Sequence, residues 1–109
     1  NMKGGLGGLF RNDKQIGGFL DWEEETILNE SSNREGETIR KLASWRLTAR
    51  AYWVYVPLGE QITIHLYPDT GEGYWEGAGI ITSPIRQLFD TLIHEDFEVV
   101  GQGVLKGAQ

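Results

Sequence analysis

SWRLTARAYWVYV, Ser44 to Val56, alternates apolar and polar residues along its whole length. Trp45, Leu47, Ala49, Ala51 and Trp53 fall on one face, and Arg46, Thr48, Arg50 and Tyr52 on the other. Period two sustained this long predicts a β-strand with one face in a core. Pro57 and Gly59 end it. QITIHLY, Gln61 to Tyr67, repeats the pattern, with Ile62, Ile64 and Leu66 pointing in and Thr63, His65 and Tyr67 out. The two strands are expected to pair as a hairpin closed by Pro57-Leu58-Gly59-Glu60.

Further along, Pro68-Asp69-Thr70-Gly71 has turn chemistry. GYWEGAGIIT, Gly73 to Thr82, reads as a third strand whose glycines imply a bulge or a close backbone contact. Ser83 to Glu95 predicts one short helix. Ser83 can cap it, Pro84 suits its first position, and Ile85, Leu88, Phe89, Leu92 and Ile93 form an apolar stripe. DFEVVGQGVL, Asp96 to Leu105, is a last strand containing Gly101 and Gly103.

Toward the N-terminus, QIGGFLDWEEETIL (Gln15 to Leu28) reads as two strands or one long bent one. NESSNREGE (Asn29 to Glu37) is a polar, exposed loop. Thr38 to Ala43 reads as a helical turn. Residues 1–14 read as a flexible arm loosened by Gly4, Gly5, Gly7 and Gly8, with Leu6, Leu9 and Phe10 free to dock on a partner. The expected architecture is therefore an arm followed by one β domain over 15–109. That domain is an antiparallel sandwich or half-barrel of about five to seven strands with one short helix near 83–95, because hairpins rather than βαβ units dominate.

The composition bounds the function. The chain has 109 residues, which make one domain with a modest core. Fifteen glycines are many, and four tryptophans, four tyrosines and four phenylalanines supply large packing area. There is no cysteine, which removes disulfides and thiolate metal sites. No apolar run is long enough for a helical membrane span, and the glycine-broken start does not read as a signal peptide. A net charge of −6 argues against binding a phosphate backbone.

No catalytic constellation emerges. His65 and His94 are the only histidines, and neither belongs to an HxH or HxxxH pattern, so surface or hydrogen-bonding roles are expected and no metal site. GGLGGLF (Gly4 to Phe10) is glycine-rich, but no strand is read before it and no Gly-Lys-Ser/Thr follows, so it is not a phosphate cradle. Ser31, Ser32, Ser44 and Ser83 lack the setting of a nucleophile elbow. Asn29-Glu30-Ser31 matches a glycosylation sequon, which without a secretion signal carries little meaning. The acidic residues read as a solvated strand face rather than a positioned acid–base pair. No cofactor is implied. Trp22, Trp45, Trp53 and Trp75, with Tyr52, Tyr55, Tyr67 and Tyr74, read as core or subunit interface. The alternative is a sugar-stacking platform on a ligand-binding β-sandwich.

GYWEGAGIITSP (Gly73 to Pro84) and FEVVGQGVL (Phe97 to Leu105), with the loop after DWEEETIL and the strand–turn–strand from Trp45 to Tyr67, resemble the phage major tail proteins that form the tail tube. Related baseplate, distal-tail and secretion-tube subunits would look alike. The resemblance covers most of the chain in order of elements and some thirty residues in motif. It implies a non-enzymatic virion component, assembled in the bacterial host cytoplasm, whose subunits close into a hexameric ring. Rings stack into a tube through which DNA passes without specific binding. It further implies contacts with other tail proteins, and a loop rather than a helix is compatible with it at 83–95. Assembly contacts are then expected at Leu6, Leu9, Phe10, Asn29, Ser31, Ser32, Asn33, Gly77, Gly79, Gly101 and Gly103. An acidic lumen is expected among Glu23, Glu25, Glu72, Glu76, Asp96 and Glu98, where it would repel DNA phosphates. The competing classes are the carbohydrate- or ligand-binding module and a small carboxylate enzyme.

Overall fold

The computed structural model describes residues 1–32, 34–36, 38–56, 60–69, 73–83 and 91–108, with the side chains of 29–32, 38–41 and 91 excepted. Eight strands run in order: β1 (Met2–Arg11), β2 (Lys14–Ser32), β3 (Thr38–Val56), β4 (Ile62–Pro68), β5 (Tyr74–Ser83), β6 (Thr91–Ile93), β7 (Asp96–Gln102) and β8 (Lys106–Ala108). All their pairings are antiparallel. The chain is thus mainly β, as expected.

The sheet order is β2-β1-β4-β5-β7-β3-β6, and β2 also pairs with β3. That extra pairing closes a six-stranded barrel, β1-β2-β3-β7-β5-β4, and so removes the free edges of its body. β6 adds to β3 beside Val54–Val56, and β8 adds to β5 beside Tyr74–Glu76.

Three expectations are corrected. The first is the arm. Residues 2–11 form β1, a barrel strand held on one side by β2 and on the other by β4. Gly4 and Gly7 are there for packing. A Cβ at Gly4 would lie 2.5–2.7 Å from the Trp22 indole, and one at Gly7 would lie 2.0–2.7 Å from the Phe19 ring. Asn12 and Asp13, with φ of 51° and 65°, make the two-residue turn into β2. Two positive φ values are the signature of a type I′ hairpin, which matches the right-handed twist of the strands.

The second correction concerns the hairpin. β3 and β4 do not pair; they stand on opposite sides of the barrel. β4 takes β1 and β5 as neighbours, and the glycine-rich character of β1 had concealed that partner. Pro57, Leu58 and Gly59 lie outside the described residues. The inward set of β4 is as expected, with Ile62, Ile64 and Leu66 at most 1% exposed.

The third correction is the helix. Among the described residues there is none. Ser83 ends β5 and Thr91–Ile93 is β6; residues 84–90 lie outside the described set. Strand parity separates Leu92 from Ile93, which a helical stripe would have kept together. Ile93 is 3% exposed and pairs with Val54, whereas Leu92 is 52% exposed. The helical turn expected at 38–43 is likewise strand, part of β3.

Bulges decide which side chains enter the core. Leu20 pairs with Arg50 and Glu23 with Thr48, so Asp21 and Trp22 oppose Ala49 alone. Asp21 takes φ of 53°, and the kink seats Trp22 inside, where its Nε1 donates to the Leu6 carbonyl at 2.8 Å. A second bulge lies at Tyr52, since Gly18 pairs with Trp53 and Phe19 with Ala51. Parity flips there. Trp45, Leu47, Ala49 and Ala51 point in as expected, but Trp53 turns out to 37% exposure and Val54 and Val56 replace it inside.

The interior holds Trp22, Trp45 and Phe19 among aliphatic side chains. Phe19 meets Phe97 edge-on at 5.5 Å, a favoured aromatic geometry. Glu24 is the one buried charged residue among those described, at 2% exposure. Thr26 Oγ1 donates to its Oε1 at 2.7 Å, a charge-assisted bond of the strong class.

Beyond the barrel, β2 and β3 continue as a two-stranded ribbon. Glu25–Ser32 and Thr38–Ala43 lie past the last partners that β1 and β7 offer. The loop expected at 29–37 therefore shrinks to a hairpin tip. The ribbon lengthens the molecule to 50 Å along its longest axis and raises the radius of gyration to 15.2 Å. A compact chain of this size would have about 13 Å.

Candidate functional site

Two surfaces stand out, one on the ribbon and one on the outer wall of the barrel. The ribbon carries Leu28 and Leu42, 65% and 43% exposed. Leu28 pairs with Ala43 and Leu42 with Asn29, so the two leucines lie on opposite faces. Asn29, Ser31 and Ser32, expected at assembly contacts, lie in the ribbon's β2 strand, and Asn33 lies outside the described residues.

The wall surface is built from outward positions of β1, β4 and β5. Register places Gly8, His65 and Glu76 in one row across these strands, and Phe10, Thr63 and Ala78 in the next. Because Gly8 has no side chain, the Phe10 ring leans back over the row. Phe10 and His65 have centroids 4.3 Å apart, His65 and Tyr74 4.7 Å, and Tyr74 and Tyr67 5.7 Å. His65 Nε2 lies 3.4 Å from Glu76 Oε2. A groove of about 920 Å³ begins at this ring row and runs over β5 to the turn between β7 and β8. Its floor is Gly77, Ala78 and Gly79.

The assembly glycines have an internal explanation. A Cβ at Gly77 would meet Leu105 at 2.5 Å and Trp45 at 3.3 Å. One at Gly79 would meet the Val100 carbonyl at 2.6 Å and Trp45 at 2.9 Å. At Gly101 it would lie 2.3 Å from the Trp45 indole and 2.5 Å from the Ala78 carbonyl. The close neighbour is therefore this chain's own tryptophan, seated under β5 and β7. Gly103 differs, with φ of 79° and nothing within 4 Å of where a Cβ would stand. It turns the chain toward β8, and its N–H donates to the Ala43 carbonyl at 2.7 Å. Leu9 is fully buried, whereas Leu6 is 62% exposed.

Four of the six expected lumen acids share one outer face, spanning β2, β3 and β7. Glu23 and Glu98 flank Thr48, Glu25 is paired with Arg46, and Asp96 with Arg50. The acids are interleaved with cations. Lys3 Nζ is 3.8 Å from Glu23, Arg46 Nε 3.6 Å from Glu98, and Arg50 Nη1 3.4 Å from Asp21. Such solvated pairs contribute little stability, but they soften the acidic field. Glu76 lies away from this face beside His65, and Glu72 is outside the described residues.

The other histidine has a structural task. His94 Nδ1 lies 3.0 Å from the Tyr52 carbonyl, and a carbonyl only accepts, so this nitrogen carries the donated proton. Ala51 N–H donates to the Glu95 carbonyl at 3.3 Å. Together they pin the β3 bulge that turns Trp53 outward. Of the proposed aromatic platform, Trp22 and Trp45 are core, while Trp53 and Trp75 are 37% and 36% exposed. Among the described residues no three of His, Asp and Glu gather to hold a metal ion. Nor is any helix there long and apolar enough to cross a membrane.

The outer ring row was missed in the sequence because it requires β1 beside β4. The signal was present in Arg11-Asn12-Asp13-Lys14, a two-residue turn whose central residues both tolerate positive φ. Comparison with protein-family models, with curated proteins and with solved structures found no match to this chain.

Proposed function

We propose that this chain is a self-assembling structural subunit, of the kind that builds a phage tail tube, and not an enzyme. Rings, hexameric in the family it resembles, would stack into a conduit that DNA traverses without being bound. The tail of the virion would be its location, other tail proteins its further partners, and the host cytoplasm the place of assembly.

The observation that carries this reading is the ribbon. The barrel body closes on itself, yet Leu28 and Leu42 remain exposed on a projecting pair of strands. A two-stranded ribbon is marginally stable in water, and its outer edges keep unpaired main-chain groups. Both costs disappear when a neighbouring copy covers it. Heterologous contacts of this type close into rings or propagate filaments. The outer face of β2, β3 and β7, with Glu23, Glu25, Asp96 and Glu98, is the acidic surface best suited to face DNA.

Purified protein is expected to form rings or tubes in negative-stain images, with concentration-dependent mass in light scattering. The Leu28→Lys, Leu42→Lys double variant is expected to remain a monomer with the barrel's circular dichroism unchanged. A strict monomer in the unaltered protein at high concentration sinks the proposal.

A further inference from the structure

The groove on the outer wall of β4 and β5 has a chemistry that self-assembly does not use. Its charges nearly balance. Asp13 and Glu76 supply carboxylates, Lys106 an ammonium, and His65 an imidazole already paired with Glu76. A phosphate, a nucleotide or an acidic peptide needs a concentrated positive field, and none exists here. The polar lining is mostly uncharged: Gln61, Thr63 and Gln102 can both donate and accept, and Thr82, whose Oγ1 already donates to Glu98 Oε1 at 2.8 Å, can still accept. A lipid or other wholly apolar ligand would leave the Gln61, Thr63 and Gln102 side chains without partners, at a cost.

Apolar contact is available at separate points rather than as one sheet. Phe10 stands at one end, while Ile80 and Val104, 52% and 59% exposed, stand at the other. Between them the one outward β5 side chain is the Ala78 methyl, since Gly77 and Gly79 turn toward the core, so a ligand can approach the strand closely. The ligand that fits is uncharged, rich in hydroxyls, extended, and carries small apolar faces.

From these features we infer that the groove binds a neutral oligosaccharide. Ring C–H faces would lie on Phe10 and Ile80, and hydroxyls would bond Gln61, Thr63, Thr82 and Gln102. The exposed indoles of Trp53 and Trp75 do not line it. The site is separate from the ribbon, so binding and assembly can be read independently.

The test is an amide-resolved NMR titration of the full chain in its monomeric Leu28→Lys, Leu42→Lys form. Maltohexaose, cellohexaose and chitohexaose are added separately. At least one is expected to produce saturable shifts at Thr63, His65, Ala78 and Lys106, with affinity in the millimolar class suited to an open groove. Ala78 points outward and is exposed, so Ala78→Arg fills the groove without entering the core. It is expected to weaken binding by about tenfold or more, and Gln102→Ala to weaken it less. Absence of saturable shifts with all three sugars overturns the inference. So do shifts confined to Tyr52 and Trp53, or unchanged binding in a folded Ala78→Arg protein.

Discussion

Trp45→Ala is expected to lower the unfolding free energy by about 3–5 kcal/mol. The indole is 1% exposed and fills the space beneath β5 and β7. Its neighbours there are Gly77, Gly79 and Gly101, which have no side chains to swing into the vacancy. A cavity that cannot collapse costs the full transfer and void terms, which places this site toward the upper end of the range. The melting temperature should fall by roughly 12–20 °C, at about 4 °C per kcal/mol for a domain of this size. Thermal and urea unfolding followed by circular dichroism measure both quantities, and an unchanged m-value keeps the comparison two-state. A loss below about 1 kcal/mol would show that the barrel does not rest on this ring.

The converse substitution tests the same fit from the other side. Gly101→Ala is expected to cost about 2–4 kcal/mol, at or above the usual range for overpacking. The added methyl meets two obstacles, the Trp45 ring and the Ala78 carbonyl at 2.5 Å. Neither yields easily, since one is a packed ring and the other is backbone in a ladder. Combining Gly101→Ala with Trp45→Phe should relieve the first obstacle and not the second. The double-mutant cycle should therefore return a coupling of about 1–2 kcal/mol and incomplete rescue. Additive effects would mean that the two residues do not share the space. Gly103→Ala is the control. Its φ of 79° makes alanine strained, but nothing lies within 4 Å of the added methyl, so its cost should stay at about 1–2 kcal/mol.

Most of the β character was legible because alternation survives whatever the neighbours are. Trp45 to Ala51 and Ile62 to Leu66 occupy the faces that period two assigns. Pairing was less legible. β3 and β4 are adjacent in sequence and both half-apolar, which describes a hairpin equally well. Only the presence of β1 as a strand excludes it, and β1 carries four glycines among its ten residues. Those glycines signal an absence of side chain opposite Trp22 and Phe19, information that lies in a partner strand and not in the segment itself. The outward turn of Trp53 depends on one extra residue at Tyr52, which no pattern within β3 announces. Leu92 and Ile93 fitted a helical stripe because adjacent apolar residues satisfy period 3.6. The edge offered by Val54–Val56 decides otherwise.

The pairing of β2 with β3 that closes the barrel also orders events in time. The β2–β3 hairpin is local and can zip within about 1–10 μs. β1 has no such advantage on its other side, since Gly7 meets Leu66 and Leu9 meets Ile64 far along the chain. Closure must therefore await β4, and the entropy of that long loop is spent before any contact repays it. Refolding is expected in the millisecond-to-second class of non-local β folds. A single sub-millisecond phase in stopped-flow fluorescence, with Trp22 and Trp45 as reporters, would contradict that order. Until closure, β1 and β4 each keep an open edge, and the nascent barrel is most vulnerable to pairing with the wrong chain.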